Sequence, residues 1–406
     1  MIRRPFRSDE RGNNSSGTDD SRRLSRIYRY VGTVIRIGTE VQVKISGAGA
    51  SVPPVVMTNV RLLSMFPGPR RMPWTAPELE EKTGIRERRF SFDYDDATGR
   101  PVFPEGYGEP PGPAGLLAEQ ALREALAAAD IDADALDALI VGGSTPDRLH
   151  FGDDAQHLHH RLGMRPDAII LQTNIGCAGA IFCLQWAKEM ILSGARKRVA
   201  VVMVQVVSSL LNPATYGGSI EYAGKDTEAF LSALLFGDGA GAIVLEATDD
   251  DSDSAMIAVS TTNEHFEIAV QPGGGNLRPA GLPTTSLADL AVHIIGKRVA
   301  DAYVPVMKKS IDAVLTDAEL EAADLARLYP HQANRRLIEP LREALGLPEE
   351  RTAINVDRYG NTSGASVLIL LAEDLRHGVV SLGSGAPVVL AAVGANLQYG
   401  AHLIRL

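Results

Sequence analysis

Residues 162–194 read LGMRPDAIILQTNIGCAGAIFCLQWAKEMILSG, and residues 345–378 read LGLPEERTAINVDRYGNTSGASVLILLAEDLRHG. Both stretches carry one plan: Leu-Gly, a short loop, an apolar strand, an elbow of small residues, then an apolar helix closed by Gly. Cys177 stands 17 residues before Gly194, and Asn361 stands 17 before Gly378. Counting from the glycines therefore predicts that Cys177 and Asn361 occupy equivalent positions in two duplicated halves.

The likeness extends outward. Residues 121–143 and 308–332 share a helix, an acidic turn, a helix fragment and a strand, and GDGAGAIVL (237–245) parallels QYGAHLIRL (398–406). Apolar, β-branched runs at 168–173, 199–207 and 240–247 read as strands buried on both faces of a sheet, with a short strand at 139–141 and another near 256–261. Residues 116–129 and 287–315 read as helices by their apolar spacing. A strand precedes His331, and a strand pair at 388–406 closes the chain. Two α/β halves related by a pseudo-twofold axis follow, 41–250 and 251–406, with the acidic run 248–254 between them. Residues 1–40 read as a disordered or atypical arm.

At 406 residues, 45% apolar and 22% charged, the chain can bury a large core. Its formal charge of −10 excludes a general affinity for nucleic acid or anionic membrane. The longest apolar run, 199–211, includes Gln205, Ser208 and Ser209 and is too short to span a bilayer. The Arg-rich N-terminus lacks the apolar stretch of a secretory signal. Two cysteines fit a reducing cytosol rather than a disulfide framework, and a cytoplasmic protein is expected.

Chemistry gathers at three turns. Cys177, between strand and helix, is placed to use helix N-terminal N–H groups, which would lower its pKa. A thiolate suits acyl transfer because it attacks thioesters and leaves again readily. Cys183, six residues on, reads as packing. His331 sits where a strand gives way to a helix, and Asn361 sits in a second elbow. Together they would form a two-donor cradle for a thioester or enolate oxygen. The run His157, His159, His160 lacks carboxylates or cysteines at ligand spacing and reads as a helix surface, so no metal and no cofactor are expected.

GCAGA, PHQANRR (330–336) and YGNTSGAS (359–366), with TGIRERRF (83–90) and LFGDGAGAIVL (235–245), resemble the β-ketoacyl-acyl carrier protein synthase III family of thiolase-like condensing enzymes. The resemblance spans roughly residues 45–406. It implies a five-layered αβαβα fold and a homodimer with one site per subunit. Cys177 would carry the acyl group, and His331 and Asn361 would stabilise the carbanion. The N–H groups of Cys177 and Ala395 would form the oxyanion hole of acyl loading, although family members often carry Gly at the latter place. Arg336 matches the position that docks an acyl carrier protein. Phe151 falls on the segment that reaches the neighbouring subunit's pocket, where head-to-head condensing relatives use Glu.

Two departures stand out. Where coenzyme A-using members clamp adenine between Trp and Arg, this chain has Glu78 and Lys82, with Trp74 out of register. That favours carrier protein over coenzyme A as the acyl donor. The segment 208–231 is longer than expected, and the resemblance implies that it caps the pocket entrance. The expected reaction is a decarboxylative condensation with a malonyl-type carrier thioester. The alternative is plain acyl transfer to a hydroxyl or amine, as in antibiotic and polyketide pathways. A catalytically dead partner subunit would have lost Cys177.

Overall fold

The β-branched and alanine-rich runs form two mixed sheets in the computed structural model, which describes residues 41–66, 74–105, 107–222, 225–249 and 255–406. The N-terminal arm and most of the acidic junction lie outside the described residues. In the first sheet, β1 (Gln42–Ser51), β2 (Ala138–Gly142), β3 (Ile169–Thr173), β4 (Arg198–Gln205) and β5 (Gly239–Thr248) lie in the order β1-β5-β4-β2-β3. The second sheet orders β6 (Ala255–Asn263), β7 (Arg327–Pro330), β8 (Pro387–Val393) and β9 (Gln398–Arg405) as β6-β9-β8-β7.

The two orders superimpose. β1, β5, β4 and β2 correspond to β6, β9, β8 and β7, with the same antiparallel, antiparallel, parallel pairings. The position of β3 has no full strand in the second sheet. Only Thr352 bridges Leu328 there, in parallel, so the strand expected before the second elbow shrinks to one bridge.

The helices that complete the layers include α1 (Pro113–Ala128), α2 (Gly179–Leu192), α3 (Gly296–Asp317), α4 (Arg335–Ala344) and α5 (Ser366–Arg376). Alternate strand residues face opposite ways. Leu139, Val141, Val202 and Val244 pack with Ala118 and Leu122 of α1 on the outer face. Ile140, Val201 and Ile243 pack inward with Ile181 and Leu184 of α2 and Leu368 and Leu371 of α5. The second sheet repeats the division: Val388 and Leu390 face the central helices, while Val389 and Leu403 meet Met307 and Ile311 of α3 and Ile338 of α4. Helix, sheet, helix pair, sheet, helix is a five-layered αβαβα stack. α2 and α5 are apolar nearly all round because both sheets cover them.

The helix expected over 287–315 begins later, at Gly296. Ala288–Leu290 is a single 3-10 turn, and His293–Ile294 pairs instead with Ala269–Val270. Tertiary pairing there overrides the apolar spacing.

Candidate active site

The first elbow leaves β3 through Gly176 in the left-handed region (φ +65°), then makes a 3-10 turn, Gly176–Ala178, before α2 starts. Cys177 lies on that turn, half-buried. The second elbow has Gly360 at φ +65° and Ser363 at φ +53°, then a matching turn, Ser363–Ala365, before α5. Superposing turn on turn pairs Gly176 with Ser363 and Cys177 with Gly364. The predicted equivalence of Cys177 and Asn361 is therefore corrected by three residues. α2 is 14 residues long and α5 is 11, so counting back from the closing glycines overshoots by nearly a turn.

The elbows touch. A Cβ on Gly364 would fall 2.9 Å from the Gly176 carbonyl oxygen and 2.6 Å from Met203 Cε. The Ser363 hydroxyl lies 3.4 Å from Cys177 Sγ, and the Ser363 N–H donates to Asn361 Oδ1 at 2.8 Å. That bond fixes which end of the amide is oxygen and turns the Nδ2 donors the other way. Asn361 is itself held by backbone bonds from its N–H to Leu235 and from Gly237 N–H to its carbonyl.

His331 caps the end of β7. Its N–H donates to the Ala391 carbonyl and its own carbonyl accepts from the Tyr303 hydroxyl. The ring Nδ1 lies 3.0 Å from Ser366 Oγ. Behind it, the buried Gln332 side chain donates to Pro330 and accepts from the N–H groups of Asn355 and Val356. The strand end and the second elbow are thereby tied together. Cys177, His331 and Asn361 thus gather on two serines three residues apart, Ser363 and Ser366.

Burial governs the protonation states. It pushes the Cys177 thiol upward, with the Ser363 hydroxyl and the cysteine's own N–H pulling the other way. The expected lowering by the helix N-terminus is thus corrected: desolvation outweighs it. Burial also lowers His331 to about 4, so its imidazole is neutral near pH 7. A largely buried site with a thiol, a neutral imidazole and an amide can hold an oxygen that gains negative charge. Sequence reading missed Ser363, Ser366, Gln332 and Tyr303. Only the positive-φ demand of the elbow and the Ser spacing within YGNTSGAS signalled any of them.

The family description 3-oxoacyl-[acyl-carrier-protein] synthase III matches residues 171–264, which hold Cys177, and its C-terminal counterpart matches 315–406, which hold His331 and Asn361. The β-ketoacyl-[acyl-carrier-protein] synthase III of Koribacter versatilis is 32% identical over 364 residues, covering 89% of this chain and 97% of the relative. The chain belongs to the β-ketoacyl-acyl carrier protein synthase III family. Among solved structures, the synthase III of Pseudomonas aeruginosa superimposes with a TM-score of 0.71 at 26% identity, over 90% of this chain and 98% of its own. The priming beta-ketosynthase of a polyketide biosynthetic pathway gives 0.71 at 25%, over 92% and 98%. The fold is thiolase-like.

Other expected residues of this synthase III chain fall as follows. Gly394 packs on Ala178, where an added Cβ would sit 3.1 Å from the Ala178 nitrogen, so the loop bearing Ala395 abuts the turn that carries Cys177. The Ala395 carbonyl is taken up by Ile268 N–H at 2.7 Å. Exposed Arg336, at the start of α4, donates to the Glu81 carbonyl at 2.6 Å. Glu78 is occupied in a capping box with Thr75 on helix Ala76–Thr83. Trp74 meets Phe230 edge to face, with Lys82 5.7 Å from its ring centre. Phe151 stands 98% exposed on a left-handed residue. His159 is bonded to the Arg165 carbonyl and His157 lies by Asp153.

The cap holds helix Pro213–Tyr216, a hairpin of Ser219–Tyr222 with Lys225–Glu228, and helix Phe230–Leu235. It is anchored by buried Asp238, which accepts from Val207 N–H, Ser208 N–H, the Ser208 hydroxyl and Ser91 N–H. A cleft of about 720 Å³ opens between Leu211–Thr215 of this cap, Phe66, Arg100 and Phe103. None of Cys177, His331 and Asn361 lines it.

Proposed function

We propose that this synthase III chain condenses acyl thioesters by a decarboxylative route, with Cys177, His331 and Asn361 as the reacting machinery. The observation that carries the reading is the convergence of those three side chains on the touching elbows, through Ser363 and Ser366. In the first half-reaction the Cys177 sulfur attacks a carrier-bound acyl thioester. The C–S bond to the carrier breaks, the carrier leaves as a thiol, and the acyl group rests on Cys177. The N–H groups of Cys177 and Ala395 would hold the oxyanion.

In the second half-reaction a malonyl-type carrier thioester loses carbon dioxide. The electron pair of the broken C–C bond passes into the thioester as an enolate, whose oxygen His331 and Asn361 hold by hydrogen bonds. Its carbon then attacks the acyl carbonyl, a C–C bond forms, and Cys177 leaves as thiolate to regain a proton. A neutral His331 suits a hydrogen-bond donor better than an acid.

The donor reading favours a carrier protein. Glu78 at the adenine-clamp position is a carboxylate committed to its helix cap, while Arg336 offers an exposed cation to an acidic partner. The exposed Phe151 and the neighbouring Leu149, 75% exposed, support a homodimer in which this segment enters the other subunit's pocket. A cytoplasmic setting is supported by a nucleophile that must stay a free thiol. No helix among the described residues is long and apolar enough to cross a membrane.

Intact-mass measurement after exposure to acyl thioesters tests the nucleophile. Cys177→Ala should abolish the adduct, whereas Cys183→Ala, buried against Thr173, should keep it. An adduct that survives the first change removes Cys177 from the reaction.

A further inference from the structure

The second elbow presents two hydroxyls to two different reacting groups. Ser363 Oγ lies 3.4 Å from Cys177 Sγ. Ser366 Oγ lies 3.0 Å from His331 Nδ1 and also accepts the Gln332 N–H at 3.3 Å. A serine hydroxyl has one proton to give. Gln332 N–H takes one lone pair of that oxygen, and whether the Ser366 proton goes to Nδ1 follows the tautomer of the ring. A neutral ring whose Nδ1 accepts must carry its own proton on Nε2.

We propose that these serines are positioning residues for separate half-reactions: Ser363 steadies the Cys177 sulfur for acyl loading, and Ser366 holds His331 as the Nε2–H tautomer for enolate formation. The inference rests on the site reading above and deepens it. Burial sharpens both roles. Ser363 and Ser366 are 3% and 0% exposed, so water cannot replace a lost hydroxyl freely. Ser363 also holds a left-handed backbone (φ +53°) that a serine adopts at a cost. The conformation brings its hydroxyl to sulfur while its N–H stays on Asn361. Without Ser366, the ring is free to populate the Nδ1–H tautomer, which offers the oxygen a lone pair instead of a donor.

The test is a double dissociation on the full chain, with each variant checked by thermal unfolding. Acyl loading is read by rapid-quench intact mass, and Cys177 reactivity by alkylation with iodoacetamide across pH. Enolate formation is read as single-turnover carbon dioxide release from malonyl carrier protein by pre-acylated enzyme. Removing one buried hydrogen bond corresponds to roughly a tenfold rate change. Ser363→Ala should slow loading by about tenfold and move the alkylation midpoint to higher pH, leaving carbon dioxide release within about twofold. Ser366→Ala should do the reverse, slowing carbon dioxide release and sparing loading and alkylation. If each variant slows both half-reactions alike, or neither, the assignment falls. His331→Ala is the control: full carbon dioxide release by that variant overturns the site reading itself, and this inference with it.

Discussion

A histidine that is 2% exposed and lowered by burial to about 4 carries no charge at neutral pH. Single-turnover carbon dioxide release should therefore be flat between about pH 6 and 8, with no inflection near the ordinary imidazole value of about 6.5. A titration there, lost in His331→Gln, contradicts the neutral-donor role. The same shift has a consequence for stability. Folding favours the neutral ring, so the unfolded chain takes up the proton first as pH falls. Stability contributed by His331 and by buried His402, lowered to about 3, is full above about 6.5 and declines below it. At this scale Cys177, His331 and Asn361 are legible in the sequence as candidates, and the structure brings the three together. Their residue types and flanking glycines form local patterns. The sequence is a poor guide to Ser363, Ser366 and the raised thiol pKa. A serine whose partner lies 186 residues away, or a thiol desolvated by tertiary packing, leaves no local mark.

Among elements, the duplication is legible because both halves must bury a helix between the same two sheets, and that demands small residues at fixed places. Gly241 on β5 shows the constraint. A Cβ there would sit 2.6 Å from Leu368 Cβ and 2.9 Å from the Ile369 nitrogen, so α5 crosses the strand almost backbone to backbone. Gly241→Ala should destabilise the fold by roughly 1–3 kcal/mol as α5 is pushed off the sheet. Denaturant unfolding measures it; an unchanged midpoint would mean that the layers are looser than described. Where structure and sequence pattern part at this scale, the causes are physical. α5 lacks nearly a turn that α2 has, which shifts the second elbow relative to its closing glycine. The strand before it survives only as the bridge from Thr352 to Leu328. The early part of the third helix was claimed by strand pairing at His293–Ile294.

Across the molecule, net charge and local charge point in opposite directions. The chain carries −10 overall, which repels an acidic carrier protein, so docking needs a local exception. Arg336 lies at the start of α4 and is anchored to the helix Ala76–Thr83 that leads into TGIRERRF. Arg336→Glu should lower kcat/KM for carrier-protein thioesters several-fold, mostly through association and more at low salt, and change coenzyme A thioesters little. Equal loss for both donors would remove Arg336 from carrier recognition. The layered stack brings residues 177, 331 and 361 together from both halves, and the central claim is that this meeting point performs condensation rather than simple acyl transfer. Asn361→Ala separates the two. On the proposed mechanism, loading would use the backbone N–H groups at Cys177 and Ala395, whereas the enolate oxygen would use the amide. The decisive measurement is labelled carbon dioxide release from malonyl carrier protein by pre-acylated enzyme, wild type beside Asn361→Ala. The account predicts near-normal acylation of Cys177 and carbon dioxide release slowed on the order of a hundredfold or more, the cost of one lost oxyanion donor. Wild-type enzyme that releases no carbon dioxide from any malonyl-type donor, yet passes its acyl group to an alcohol or amine, would contradict it.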